Sequence, residues 1–170
     1  MTTISVLVGN PQPASRTRLV AEEVAQRIAA RAGAEVLPTI DLADHASALF
    51  TIPDPAVDAL TERVASSDLL VVASPTYKAS YTGLLKAFLD RYGTAGLAGV
   101  TAIPILTIGS PAHALAVDHT LRPLLVELAA SVPTTGIAFP ASETDDRARI
   151  VEDWLDTQWR AIAGAIGGAR

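Results

Sequence analysis

The run Asp68-Leu69-Leu70-Val71-Val72-Ala73 passes directly into Ser74-Pro75-Thr76-Tyr77-Lys78, and this junction constrains the fold more than any other segment. A strand with one wet face alternates polar and apolar residues, whereas an unbroken apolar run suits a strand covered on both faces. The residues that follow are polar, aromatic and turn-prone, as suits the carboxyl end of such a strand. In an open parallel sheet, ligands bind beyond the carboxyl ends of the strands.

The rest of the chain alternates in the same way. Ile4–Val8 reads as a first strand, and Ser15–Arg31 follows with Leu19, Val20, Val24 and Ile28 at helical spacing. Glu35–Ile40 reads as a second strand, placed at a sheet edge by Pro38. Asp54–Ser66 predicts a helix with Val57, Leu60 and Val64 on one stripe. Leu69–Ala73 is the third strand and Tyr81–Tyr92 the helix after it. Val100–Ile108 is the fourth strand, where Pro104 removes a ladder donor and predicts a bulge or an unpaired position. Ala112–Ala130 predicts one long helix, kinked or offset near Pro123. Thr135–Phe139 is the fifth strand and Asp145–Ile166 the last helix, with a Gly/Ala-rich tail after Ile162 expected to fray. Five strands with intervening helices make an α/β fold with a five-stranded parallel sheet. Right-handed crossovers favour the order 2-1-3-4-5.

At 170 residues, 49% of them apolar, the expectation is one domain over 1–170. A net charge of −5 without a basic stripe argues against nucleic acid as a partner. The lack of cysteine excludes disulfides and thiolate chemistry. His45, His113 and His119 are scattered and have no paired carboxylates, so no metal site is expected. Neither a basic n-region nor a long apolar stretch is present, so the expectation is a cytoplasmic protein without a signal peptide or membrane association.

The first strand ends at Gly9-Asn10-Pro11-Gln12-Pro13-Ala14-Ser15-Arg16-Thr17. Neither the dinucleotide glycine fingerprint nor a P-loop is there. What remains is two hydroxyls and a guanidinium at a helix N-terminus, where free amides and the helix dipole favour an anion. Hydroxyls can surround a terminal phosphomonoester; alternatively, Ser15 simply caps the helix. After the third strand, Tyr77, Lys78, Ser80, Tyr81, Thr82 and Gly83 offer an aromatic wall and backbone donors suited to a flat heteroaromatic ring. The other possibility is that the tyrosines cover the sheet end and Lys78 is solvated. Thr107-Ile108-Gly109-Ser110-Pro111 points at the same crevice, and its small residues permit close backbone approach.

Three segments resemble the NADPH-dependent FMN reductase family of the flavodoxin-like fold, a three-layer sandwich. They are Gly9-Asn10-Pro11 through Ser15-Arg16-Thr17, Ser74 through Lys86, and Ala112-His113-Ala114-Leu115-Ala116-Val117-Asp118-His119. The third is similar to the flavin reductases of sulfonate monooxygenase two-component systems. The resemblance implies that Ser15, Arg16 and Thr17 hold the FMN phosphate. It implies that Pro75, Thr76, Tyr77 and Lys78 line the isoalloxazine, with Gly109 and Ser110 opposite. Many relatives carry Ser at position 10 and Arg at position 12, where this chain has Asn10 and Gln12. The lost arginine weakens the phosphate clamp and suits a flavin that exchanges. His119 stands where some relatives carry Tyr on a π-helical turn at a subunit interface, and the resemblance implies a role in interface packing and flavin exchange. The alternative is an ordinary helix-surface histidine.

The implied activity is hydride transfer from NADPH or NADH to FMN, with reduced flavin passed to a partner monooxygenase. No side chain is assigned as a catalytic acid or base, because the cofactor carries the hydride chemistry. Backbone amides of the Thr107–Ser110 loop are the candidates for stabilising reduced flavin, and Lys78 could assist or contact the nicotinamide nucleotide. The competing activities are an FMN-containing quinone or azo reductase, a flavodoxin-type electron carrier and a phosphate-ligand binder without chemistry. The family usually forms dimers or tetramers. Leu115, Val117, Leu121, Leu124, Leu125 and Leu128 predict a helix apolar over most of its circumference, and hence an oligomer built on it, which the resemblance implies is a homodimer or homotetramer.

Overall fold

The computed structural model describes residues 1–167. Its strands are β1 (Thr3–Val8), β2 (Glu35–Val36), β3 (Ile40–Asp41), β4 (Leu69–Pro75), β5 (Thr101–Ile108) and β6 (Ile137–Pro140). All pair in parallel, in the order β2-β1-β4-β5-β6, with β3 also on β1. The helices are α1 (Arg16–Ala32), α2 (Pro55–Ala65), α3 (Gly83–Leu89), α4 (Arg122–Glu127) and α5 (Arg147–Gly167).

The unbroken apolar run of β4 is explained by its position. Leu70 and Val72 enter one core cluster with Leu85, Phe88, Leu121 and Leu125; Leu69, Val71 and Ala73 enter the other with Val24, Ile28, Val151 and Leu155. These five side chains of β4 are fully buried. Burial stabilises such leucines and valines by about 1.5–3 kcal/mol each. Helices therefore cover both faces, and the architecture is the flavodoxin-like α/β sandwich.

Three expectations are refined. The second strand is not continuous: β2 pairs with Thr3 and Ile4 while β3 pairs with Leu7 and Val8, so two short strands share the edge position around Pro38. At Pro104 the ladder with β4 continues without a bulge, in register with Val72. The Ala102 N–H donates to Ser131 O on the β6 side (2.7 Å), and alternation turns Pro104 N the same way. Pairing with β6 begins only at Ile105, so the missing donor falls at an unpaired position.

The stretch from 112 to 130 is not one helix. It is a 3₁₀ turn (Pro111–His113), a π-helical turn (Val117–Leu121) and α4. Pro123 has no N–H and its ring crowds the preceding turn. The chain widens just ahead of it, with the Arg122 N–H reaching five residues back to Val117 O. Val117, Leu121, Leu125 and Leu128 are buried in the chain's own core. The all-round apolar surface expected there thus reduces to half-buried Leu124 and the exposed Leu115 and Val126. α5 stays helical past Ile162 to Gly167; the rest of the tail expected to fray lies outside the described residues.

Candidate functional site

β1, β4 and β5 end side by side, and the loops leaving them are stitched together. Gly9 N–H continues the ladder to Ala73 O (2.7 Å), and Thr76 N–H donates to Thr107 O (2.9 Å). Buried Thr82 caps α3 and its hydroxyl donates to Gly9 O (2.5 Å), while its N–H donates to Ser74 Oγ (3.0 Å). Gly9 must be glycine, because a Cβ there would sit 2.5 Å from Leu85 Cβ.

The first loop is shaped by polar side chains. Asn10 Oδ1 accepts from the Gln12 N–H (2.9 Å), an Asx turn. Asp41, at the end of β3, accepts from the N–H of Ala14, which holds φ +49°. Ser15 caps α1 by accepting from the Arg18 N–H (3.3 Å). Helix geometry leaves the other first-turn amides without intrahelical partners. Thr17 is buried, its hydroxyl between Asn10 Nδ2 (3.1 Å) and Thr107 Oγ1 (2.8 Å). Thr17 accepts from Asn10, and either threonine can donate in the Thr17–Thr107 bond, so the pair holds one hydroxyl proton beyond the one shared between them. The Arg16 guanidinium crosses the loop and donates to Ala141 O (3.0 Å).

The loop after β4 closes as a two-residue hairpin, with Tyr77 N–H to Ser80 O (2.8 Å) and Ser80 N–H to Tyr77 O (3.2 Å). Lys78 and Ala79 both take positive φ, +53° and +63°, as a type I′ turn requires and as non-glycine residues seldom do. Such strain clusters at ligand-binding loops.

A cavity of about 260 Å³ opens between these loops, and its lining includes Ser15, Arg16, Thr17, Pro75, Thr76, Tyr77 and Gly109. Those seven expected residues therefore meet. Three others do not join them. Exposed Lys78 is at the hairpin tip beside the cavity. Ser110 caps the 3₁₀ turn through the Ala112 N–H (3.3 Å) and lines the next cavity. His119 lies exposed on the π-helical turn. Asn10, Gln12, Thr107 and Ala141 line the cavity as well, although the sequence assigns them no side-chain role. For Asn10 a signal existed: an Asn opening a Pro-rich turn bonds its own backbone. Thr76 Oγ1 is buried on this wall without a hydrogen-bond partner.

The sequence model of the NADPH-dependent FMN reductase family matches residues 2–144. The chain belongs to that family. An FMN reductase (NADPH) of Pseudomonas putida is 38% identical to this FMN reductase-family chain over 136 residues, 76% of this chain and 66% of the relative. An NADH-dependent FMN reductase, SfnF, also from Pseudomonas putida, is 40% identical over 91 residues, 54% of this chain and 48% of the relative. The chain spans about half to two thirds of the length of such curated relatives. A solved NADH:FMN oxidoreductase (EMOB), in its apo form, superposes with a TM-score of 0.82 at 33% identity, covering 92% of this chain and 88% of that one.

Proposed function

We propose that the protein is an NAD(P)H-dependent FMN reductase that supplies reduced flavin to a partner monooxygenase. The observation that carries this reading is the single cavity joining the α1 N-terminus to the loops after β4 and β5. Its chemistry fits FMN. The helix end and the Ser15 and Thr17 hydroxyls offer polar partners to a phosphate, and Arg16 offers charge. The buried, unpartnered Thr76 hydroxyl lacks the partner a ring carbonyl or nitrogen would provide. Tyr77 and Pro75 supply flat apolar wall, and Gly109 permits close backbone approach.

FMN, when bound, supplies the hydride chemistry. Ser15, Arg16 and Thr17 hold its phosphate; Pro75, Thr76 and Tyr77 line its ring, with Lys78 at the rim. Backbone amides of the Thr107–Ser110 loop, with Gly109 on the cavity wall, would be the donors to the ring edge and would supply electrostatic stabilisation there. The hairpin strain of Lys78 and Ala79 keeps this wall preformed, so little ordering is needed at binding. No side chain acts as acid or base.

Because position 12 is Gln and Arg16 also serves Ala141 O, the phosphate is held by few charges, which supports FMN as an exchanging substrate. The relatives SfnF and SfnE, both NADH-dependent FMN reductases, support flavin as the electron acceptor, and the resemblance of the 112–119 segment to reductases of two-component systems supports a monooxygenase as recipient. The same reading treats residues 1–170 as one FMN-binding domain of a cytoplasmic homodimer or homotetramer. Exposed Leu115 and Val126, flanking the turn that carries His119, are its contact candidates. No described helix is long and apolar enough to cross a membrane.

The test is to titrate flavin-free protein with FMN by fluorescence and to follow pyridine nucleotide oxidation as FMN rises. Turnover should climb with added FMN. A yellow protein that keeps its flavin through purification and turns over independently of added FMN overturns the substrate reading. Failure to bind FMN at all overturns the function.

A further inference from the structure

We propose that a second cavity, beside the flavin pocket on the β6 side, seats the adenosine half of the hydride donor, and that Glu143 there selects a free ribose 2′-hydroxyl, making NADH the preferred donor. This rests on the flavin reductase reading above.

The cavity measures about 320 Å³ and shares Gly109 with the flavin pocket. The turn after β6 is divided between the two: Ala141 lines the flavin pocket, Ser142 and Glu143 the neighbour. A hydride donor must lay its nicotinamide against the flavin, so its other half extends beyond that pocket. A dinucleotide crossing at Gly109 has the second cavity directly in its path.

The walls there suit a purine nucleoside. Pro111, Ala114 and Pro140 offer flat apolar surface without long side chains, and Ser142 adds a hydroxyl. The one charged side chain in the lining is the Glu143 carboxylate. A carboxylate accepts both hydroxyls of a ribose diol, and the same geometry repels a 2′-phosphate. Glu22, Glu23 and Glu152 are each paired with arginine, whereas Glu143 is in no ion pair among the described residues. Its backbone (φ −102°, ψ 20°) breaks the 3₁₀ run from Ala141 to Asp146, which sets it apart from the residues around it. The two arginines near this turn are committed elsewhere. Arg16 donates to Ala141 O (3.0 Å), and Arg147 donates to Thr144 O (3.0 Å) beside Glu23. Neither lines the cavity as a phosphate partner. Family membership leaves the donor open, since relatives are named for NADPH and for NADH.

The experiment is calorimetric titration of FMN-saturated protein with NAD⁺ and, separately, NADP⁺, neither of which turns over. NAD⁺ should bind at least about tenfold more tightly, the ratio that one unfavourable charge contact readily produces. Glu143→Gln should narrow the gap and Glu143→Arg should reverse it, and the ratio of KM for NADPH to KM for NADH should move the same way. Ala114→Trp, which fills the cavity, should weaken both nucleotides while the FMN titration of the flavin-free protein stays as in the wild type. Equal or tighter binding of NADP⁺ by the wild type, an unmoved ratio in Glu143→Arg, or unimpaired nucleotide binding in Ala114→Trp overturns the proposal. If FMN binds normally and these arms fail, this inference alone falls. If the wild type does not bind FMN, the flavin reading falls and takes the inference with it.

Discussion

α1 and the segment from Pro111 to Glu127 make the same journey away from the carboxyl end of a strand, yet they are held in place differently. α1 is one regular helix with a Ser15 cap, a left-handed Gly33 at its other end and a continuous buried stripe of Val20, Val24 and Ile28. Arg27 and Arg31 add ion pairs to Glu152 on α5. The second segment changes helical type twice, and its π-helical turn is anchored by one polar knot. Arg122 donates to Asp118 Oδ1 (2.9 and 2.7 Å), to Val132 O (2.8 Å) and to Thr134 O, and the same Asp118 oxygen accepts the Gly136 N–H (3.0 Å). A helix with many weak supports tolerates the loss of one. The second segment also buries Val117, Leu121 and Leu125, but its polar anchoring runs through Arg122 and Asp118 alone and is lost with one side chain; its Pro111 and Ala114 line the second cavity.

The largest effect is expected for Arg122→Ala, which unties the π-helical turn from the approach to β6. Urea unfolding should register a loss of about 3 kcal/mol, since several charge-assisted bonds go at once. A loss below about 1 kcal/mol would mean that apolar packing alone holds the segment, and the contrast with α1 would disappear. Gly136→Ala comes next, because its Cβ would lie 2.6 and 2.8 Å from the Val117 methyls and press on the turn. Its expected cost is about 2 kcal/mol, typical of overpacking, and a neutral result would show that Val117 can yield.

Gly33→Ala probes the left-handed cap that ends α1. The position has φ +63° and open space around it, so only the backbone term changes, about 1–2 kcal/mol. A larger loss would make α1 as dependent on one residue as its counterpart. The smallest effect concerns Glu152, which hydrogen bonds from Arg31 and then Arg27 hold below the ordinary carboxylate range. A carboxyl depressed in the folded state adds stability above its unfolded value and loses it as pH falls through the folded value. Wild type should therefore lose stability more steeply than Glu152→Gln as pH drops from about 6 to 3, and the two should converge at the acid end. Parallel curves would remove the α1–α5 pairs from the account.

Much of the fold was legible because burial writes itself into side-chain type. β4 is covered on both faces, so nothing polar interrupts Leu69–Ala73, and Pro38 announces an edge because only an edge tolerates a missing donor. The site was partly legible for another reason: Ser15, Thr76 and Gly109 sit in turn-prone stretches at strand ends, where ligands gather. The role of the Thr107 side chain was not, because a threonine ending a strand looks like any strand residue until its hydroxyl is found 2.8 Å from Thr17. Leu121 and Leu125 show the opposite limit: they look like surplus apolar surface in the sequence, while the fold uses them in its own core and leaves Leu115 and Val126 exposed.

The order of apolar runs, turn residues and caps determined the strands, the helices and their winding, since each is a local balance of burial and backbone freedom. Tertiary structure alone decided how the 112–130 stretch divides, which hydroxyls are spent on one another and which is left over. It also decided that Glu143 lines a second cavity beside the one at the sheet end. Those outcomes depend on residues far apart in the chain meeting within hydrogen-bond distance, and no local pattern encodes a distance.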